Sequence, residues 1–223
     1  NCLRDSIGSS LTPRGSDDEK EKQCPEDYSR YSIETDTGVR VMRFSGSIFL
    51  VGPMGVGKST IGRALSELLG LEFADSDREI ETSTGADIPW IFDVEGESGF
   101  RLREIRMIER LSAKQNVVLA TGGGAVLAAE NRACLSSRGV VVYLRASIAQ
   151  QMERTSRDRN RPLLQTDDPE SKIRELMAIR DPLYLEVADI IVDTNRRNPK
   201  SVSHEISKQL DRMVKMRPES NQD

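Results

Sequence analysis

One segment constrains this chain more than any other. Gly52-Pro53-Met54-Gly55-Val56-Gly57-Lys58-Ser59 fills every fixed position of the pattern G-x-x-x-x-G-K-[ST]. The apolar run Ile48-Phe49-Leu50-Val51 leads directly into it, as a short, fully buried parallel strand should. A helical pattern follows from Lys58 to about Leu69, with Ile61, Ala64, Leu65 and Leu68 on one face, and Gly70 stands where a C-terminal cap belongs. Strand, glycine-rich turn and helix are the context the motif needs. Glycines let the backbone N–H groups turn inward around phosphate oxygens. Lys58 then reaches the β- and γ-phosphates, the Ser59 hydroxyl ligates Mg²⁺, and the helix N-terminus turns its partial positive charge on the same anion. The segment predicts a nucleotide site.

The rest of the chain alternates in the same way. Strand patterns fall at Glu72–Asp75, Val117–Thr121, Val140–Leu144 and Ala188–Asp193, and helical patterns run up to Ser112 and over 147–156, 169–186 and 199–215. Such alternation predicts an α/β fold, a parallel sheet with helices on both faces, over residues 47–215. Residues 1–46 are polar and charged, typified by Ser16-Asp17-Asp18-Glu19-Lys20-Glu21-Lys22. They cannot bury enough apolar surface to offset their ordering entropy, and are expected to form a disordered extension. Val39 to Phe44 is the one stretch there that reads as a short strand. Residues 216–223 read as a flexible tail.

Composition excludes other classes. A formal net charge of −4 argues against a general nucleic-acid or membrane-surface binder. Cys2, Cys24 and Cys134 show neither zinc-ligand spacing nor an even count, which points to a reducing cytoplasm. No run approaches a membrane span, and the acidic N-terminal residues fit neither a secretory signal nor a transit peptide. The single histidine, His204, sits in a polar helical pattern and reads as a surface residue, so mechanisms that need histidine catalysis are disfavoured.

Within the P-loop class, no Asn/Thr-Lys-x-Asp guanine motif is present. The strand at Val117–Thr121 ends in Thr121-Gly122-Gly123-Gly124 rather than in the acidic residue of a hydrolytic ATPase. Both features favour a kinase for a small acceptor. Ordered blocks then carry a specific likeness. They are Gly55-Val56-Gly57-Lys58-Ser59-Thr60-Ile61-Gly62, Asp75-Ser76-Asp77, Gly96-Glu97-Ser98-Gly99-Phe100-Arg101 and Thr121-Gly122-Gly123-Gly124-Ala125-Val126. Beyond these come Arg161-Pro162-Leu163-Leu164, Arg180-Asp181-Pro182-Leu183-Tyr184 and Val192-Asp193-Thr194. Together, over residues 47–212, they resemble the shikimate kinase family.

The resemblance implies a three-layer P-loop kinase fold, a five-stranded parallel sheet with a mobile lid, and transfer of the ATP γ-phosphoryl group to the 3-hydroxyl of shikimate. It places Gly55, Val56, Gly57, Lys58, Ser59 and Thr60 around the ATP phosphates. Arg161, in the lid segment Arg154–Asp168, falls on the same phosphates; Arg154, Arg197 and Pro199 fall near adenine. It assigns Asp77, Arg101, Gly123 and Arg180 to shikimate, the arginines gripping its carboxylate. Lys58, Asp77 and Arg161 take the catalytic roles. Ser59 and Asp75 fall to Mg²⁺, Asp75 through water. Asp75 and Asp77, two apart on an extended chain, would face the same side, although Ser76 or Asp77 could also cap the next helix. Phe92 and Phe100 are candidate walls for the ring, and Glu97 and Glu104 candidate supports for the arginines. The implied partners are shikimate and ATP, with no nucleic acid and no membrane, and a monomer is expected. Two alternatives are a gluconate-type small-molecule kinase and a catalytically silent nucleotide-binding regulator.

Overall fold

The structure is a computed structural model that describes residues 31–34, 41–44, 46–156 and 166–215. The chain runs β1 (Tyr31–Glu34), β2 (Val41–Phe44), β3 (Ile48–Val51), α1 (Lys58–Leu69), β4 (Glu72–Asp75), α2 (Ser76–Thr84), α3 (Ile88–Ser112) and β5 (Val117–Ala120). After a 3-10 turn at Ala125–Leu127 come α4 (Ala129–Arg138), β6 (Val140–Arg145), α5 (Ile148–Thr155), α6 (Pro169–Val187), β7 (Ile190–Asp193) and α7 (Pro199–Lys215).

Five strands form a parallel sheet in the order β4-β5-β3-β6-β7. The strand that leads into the phosphate motif is central because all four of its side chains are apolar and buried. Its alternation divides the core. Phe49 and Val51 join one cluster with Ile80, Ile108, Leu119, Tyr143 and Tyr184, while Ile48 and Leu50 join another with Leu65, Val118, Val142, Ile206 and Leu210. The first cluster lies under α2, α3, α4 and α6, and the second under α1 and α7. Each fully buried aliphatic or aromatic side chain in these layers contributes roughly 1.5–3 kcal/mol relative to exposure.

Helix α1 approaches the sheet closely at Gly62, where an added Cβ would stand 2.6 Å from the Phe73 ring. That approach fixes how far the N-terminus of α1 reaches over the sheet. Helix α3 is broken at Gly96, whose φ of 70° and ψ of 178° are open to glycine and strained for other residues. The break separates a segment carrying Phe92 from a segment carrying Arg101 and Glu104.

The strand expected near Val39–Phe44 is present as β2. It pairs antiparallel with β1, which the sequence pattern had not suggested. Phe44 at its end is buried in the second core cluster. The last strand begins at Ile190, two residues later than the pattern predicts, because Ala188 closes α6 by donating its N–H to Tyr184 O. His204 is exposed, as expected. Among the described residues no helix is long and apolar enough to cross a membrane.

Candidate active site

The loop between β3 and α1 is built on left-handed glycines. Gly55 (φ 73°) and Gly57 (φ 96°) turn the chain, and Gly57 serves as the N-cap of α1 without any side-chain cap. The first N–H groups of α1 therefore have no side chain to satisfy them, an anion-accepting arrangement. Lys58 Nζ donates to Gly52 O at 2.7 Å and Pro53 O at 2.9 Å, which holds the ammonium at the mouth of the loop. Thr60 is exposed in the first turn.

One carboxylate meets the start of α1 from the end of β4. Ser59 Oγ donates to Asp75 Oδ2 at 2.6 Å, while Asp75 Oδ1 accepts from the N–H groups of Asp77 and Arg78. The N-cap of α2 is thus Asp75, not Ser76 or Asp77. The extended spacing suggested for the pair does not hold either, because β4 ends at Asp75 and Asp77 lies in the first turn of α2. That turn brings Asp77 to the glycine run. A Cβ at Gly122 would stand 2.8 Å from Asp77 Oδ1 and 2.5 Å from Glu104 Oε1.

A second group of residues converges on Gly122-Gly123-Gly124. Arg101 bonds Glu104 Oε2 at 2.7 Å and Glu97 Oε1 at 2.9 Å, one i,i+3 and one i,i+4 pair along α3. Its guanidinium lies flat against Gly124, where any side chain would displace it. Arg180, only 3% exposed, donates from Nη1 to Gly123 O at 3.3 Å. Arg180 Nε and Glu104 Oε1 are buried with no hydrogen-bond partner among the described residues. Buried polar atoms are rarely left so, and a pair of them facing one crevice marks a place for a polar ligand.

Electrostatics agree. Burial pushes the Glu104 carboxyl above its usual range, although Arg101 and Arg180 pull the other way. Burial lowers the Arg180 guanidinium, and the nearby Arg101 charge adds to that. Burial also opposes the Arg101 charge, but Glu104 and Glu97 more than restore it. Two guanidiniums close together, with their neighbouring carboxylates already engaged along α3, suit an incoming carboxylate.

On the other side of β3, Arg154 donates to Gly55 O, Val56 O and Thr194 O, so it ties α5 to the phosphate loop and to the turn after β7. Arg197, half-buried, bonds Asp193 O and Ser201, and Pro199 opens α7 beside it. Phe92 and Phe100 pack at 5.0 Å between ring centroids, with Phe100 in the core and Phe92 partly buried against it. Arg161, and with it the centre of the lid segment, lies outside the described residues.

Sequence reasoning passed over several residues. Tyr184 Oη donates to Gly123 O at 2.5 Å, Tyr143 stacks on Tyr184 at 4.9 Å, and Tyr143 Oη donates to Asp181. Thr194 accepts the Arg154 tie. Two tyrosines on separate elements carry no spacing signal, although Tyr184 belongs to a block that resembled the family.

A family model described as shikimate kinase matches residues 54–211. The shikimate kinase of Pseudomonas fluorescens is 59% identical over 172 residues, covering 77% of this chain and 98% of that protein. The shikimate kinase of Halorhodospira halophila is 56% identical over 168 residues, covering 75% and 95%. Among solved structures, shikimate kinase from Acinetobacter baumannii in complex with shikimate superposes with a TM-score of 0.74. It is 53% identical and covers 77% of this chain and 96% of that one.

Proposed function

The chain belongs to the shikimate kinase family, and on that footing we propose that it phosphorylates shikimate at the 3-hydroxyl, using ATP, in the crevice between the phosphate loop and the Gly122–Gly124 turn. The single observation that carries this reading is the pair of guanidiniums, Arg101 partly buried and Arg180 buried, set against the glycine turn beside the phosphate loop. A small carboxylate-bearing acceptor fits that pair; a neutral sugar would leave Arg180 with no ion-pair partner among the described residues. Gluconate also carries a carboxylate, so the choice of shikimate rests on family membership.

Each residue then has a task. The backbone of Gly55–Ser59 and the Lys58 ammonium hold the β- and γ-phosphates, and Thr60 lies at the same helix start. Arg101, Arg180 and the Gly123 backbone hold the carboxylate end of the acceptor. Asp77 accepts a hydrogen bond from the attacking hydroxyl and takes its proton as it meets the γ-phosphorus in line. Arg154, Arg197 and Pro199 shape the nucleotide end. Arg161 belongs to the phosphates by family pattern. Ser59 and Asp75 offer one hydroxyl and one carboxylate oxygen 2.6 Å apart, hard donors of the kind Mg²⁺ takes alongside phosphates and water. Mg²⁺ held there would neutralise charge on the transferring group. Catalysis by the chain is alignment and charge stabilisation.

Residues 47–215 form the kinase unit, with residues 1–46 as an appendage and 216–223 as a tail. The working unit is read as a monomer, and the scattered cysteines suit the cytoplasm. The test is a coupled ADP-release assay on the full chain with shikimate or gluconate. Shikimate-dependent release that disappears in Lys58→Ala is the expected result. ATP binding without turnover would favour the silent regulator, and release with gluconate alone would favour the other kinase.

A further inference from the structure

Tyr184 has no part in the roles above, yet it is fully buried and ends on the backbone of the acceptor turn. Its hydroxyl and Arg180 Nη1 share one acceptor, Gly123 O. The tyrosine is itself held. Its ring stacks on Tyr143 of β6, whose hydroxyl donates to Asp181, the residue after Arg180. A closed circuit therefore runs from Gly123 through Tyr184, Tyr143 and Asp181 back to Arg180.

The turn has little else to fix it. Gly122 N–H donates to Ser76 Oγ, Gly122 O accepts from Ala125 N–H and Gly124 O from Leu127 N–H, but the N–H groups of Gly123 and Gly124 make no hydrogen bond among the described residues. Three glycines in a row give this backbone wide conformational freedom. In a planar trans peptide the Gly123 carbonyl and the Gly124 N–H point opposite ways, so a carbonyl pinned towards α6 aims that N–H away from α6.

Building on the functional reading above, we infer that Tyr184 is a positioning residue for the acceptor. By anchoring Gly123 O, it sets the Gly123–Gly124 peptide and the Arg180 guanidinium in one fixed relation, ready for the acceptor carboxylate. The role is preorganisation, so its loss appears in acceptor affinity and leaves nucleotide affinity in place.

Tyr184→Phe removes only the hydroxyl and keeps the ring on Tyr143. The expected result is a rise of about tenfold in shikimate KM, matched by weaker shikimate binding in calorimetry, the scale for losing one buried hydrogen bond. ATP KM should stay within about twofold of the parent enzyme. A melting temperature that falls while shikimate KM holds would reduce Tyr184 to a structural role and overturn the inference. An equal rise in both KM values would overturn it too. If Tyr184→Phe does not fold, Tyr143→Phe carries the test. It frees the stacked ring from Asp181, and should raise shikimate KM about threefold, with no rise again overturning the inference. Failure of the parent enzyme to release ADP with shikimate would instead sink the functional reading.

Discussion

Gly122→Ala is a clean perturbation of the acceptor crevice. The backbone there does not adopt positive φ, so alanine fits the conformation and only its methyl group matters. That Cβ would stand 2.5 Å from Glu104 Oε1, 2.8 Å from Asp77 Oδ1 and 3.6 Å from Asp77 Cγ. Ordinary C···O contacts begin near ~3.3 Å, so each carboxylate must retreat by about 0.5–0.8 Å. Glu104 is 1% exposed and bound to Arg101, so its retreat drags the guanidinium with it. Misplacing a reacting or gripping group by about 1 Å costs on the order of 100-fold, or about 2.7 kcal/mol of transition-state stabilisation. Forcing a methyl into a filled site costs a further ~1–3 kcal/mol of fold stability. Steady-state ADP release should therefore show kcat/KM for shikimate lower by about 100-fold, with ATP affinity by titration unchanged. A kcat/KM within about threefold of the parent enzyme would refute the steric argument. A parallel loss of ATP binding would show that the damage is not local.

Three further outcomes follow from the same geometry. Asp77→Asn should lower kcat at least ~100-fold, because the amide cannot take the hydroxyl proton; near-normal turnover would remove Asp77 from the chemistry. Arg154→Ala releases the phosphate loop from α5 and should raise ATP KM by about tenfold, with shikimate KM steady as the control. Glu104 sets a pH dependence. Its carboxyl is raised by burial above the usual 4.5, so the stability it contributes is full below 4.5 and fades as pH rises through the folded-state value. Melting temperatures between about pH 4 and 7 should thus show the parent protein losing ground to Glu104→Gln as pH rises, and a constant difference would contradict this.

The donor half of the site was legible because it is local. A buried strand, glycines that must adopt left-handed turns and an adjacent lysine lie within twelve consecutive residues, Ile48 to Ser59. Asp75 and Asp77 were found for an incomplete reason. Residue spacing cannot show where a strand yields to a helix, and that transition lets Asp75 cap α2 while Asp77 turns towards Gly122. Arg101 and Arg180 were reached through family pattern, since an arginine on a helix looks alike whether it faces solvent or a crevice. The burial of Glu104 and the Tyr143–Tyr184–Asp181 circuit depend on how α3, β6 and α6 come together across the core. No local pattern records that meeting. The pairing of β1 with β2 was hidden for the same reason.

The strand order has a consequence for how such a chain can change. Asp75, Asp77, Arg101 and the glycine turn belong to the β4–β5 flank of the central strand, while Arg154, Thr194, Arg197 and Pro199 belong to the β6–β7 flank. Helix α6 crosses over, to deliver Arg180 to Gly123. On the proposed roles, the acceptor grip lies on the β4–β5 flank and the Arg154 and Arg197 contacts of the nucleotide end lie on the β6–β7 flank, while Asp75 reaches Ser59 at the phosphate loop from the first flank. Substitutions at Asp77, Arg101 or the glycine turn can then retune the acceptor while the Arg154 and Arg197 contacts stay intact, with α6 and Asp75 as the features that must change in step.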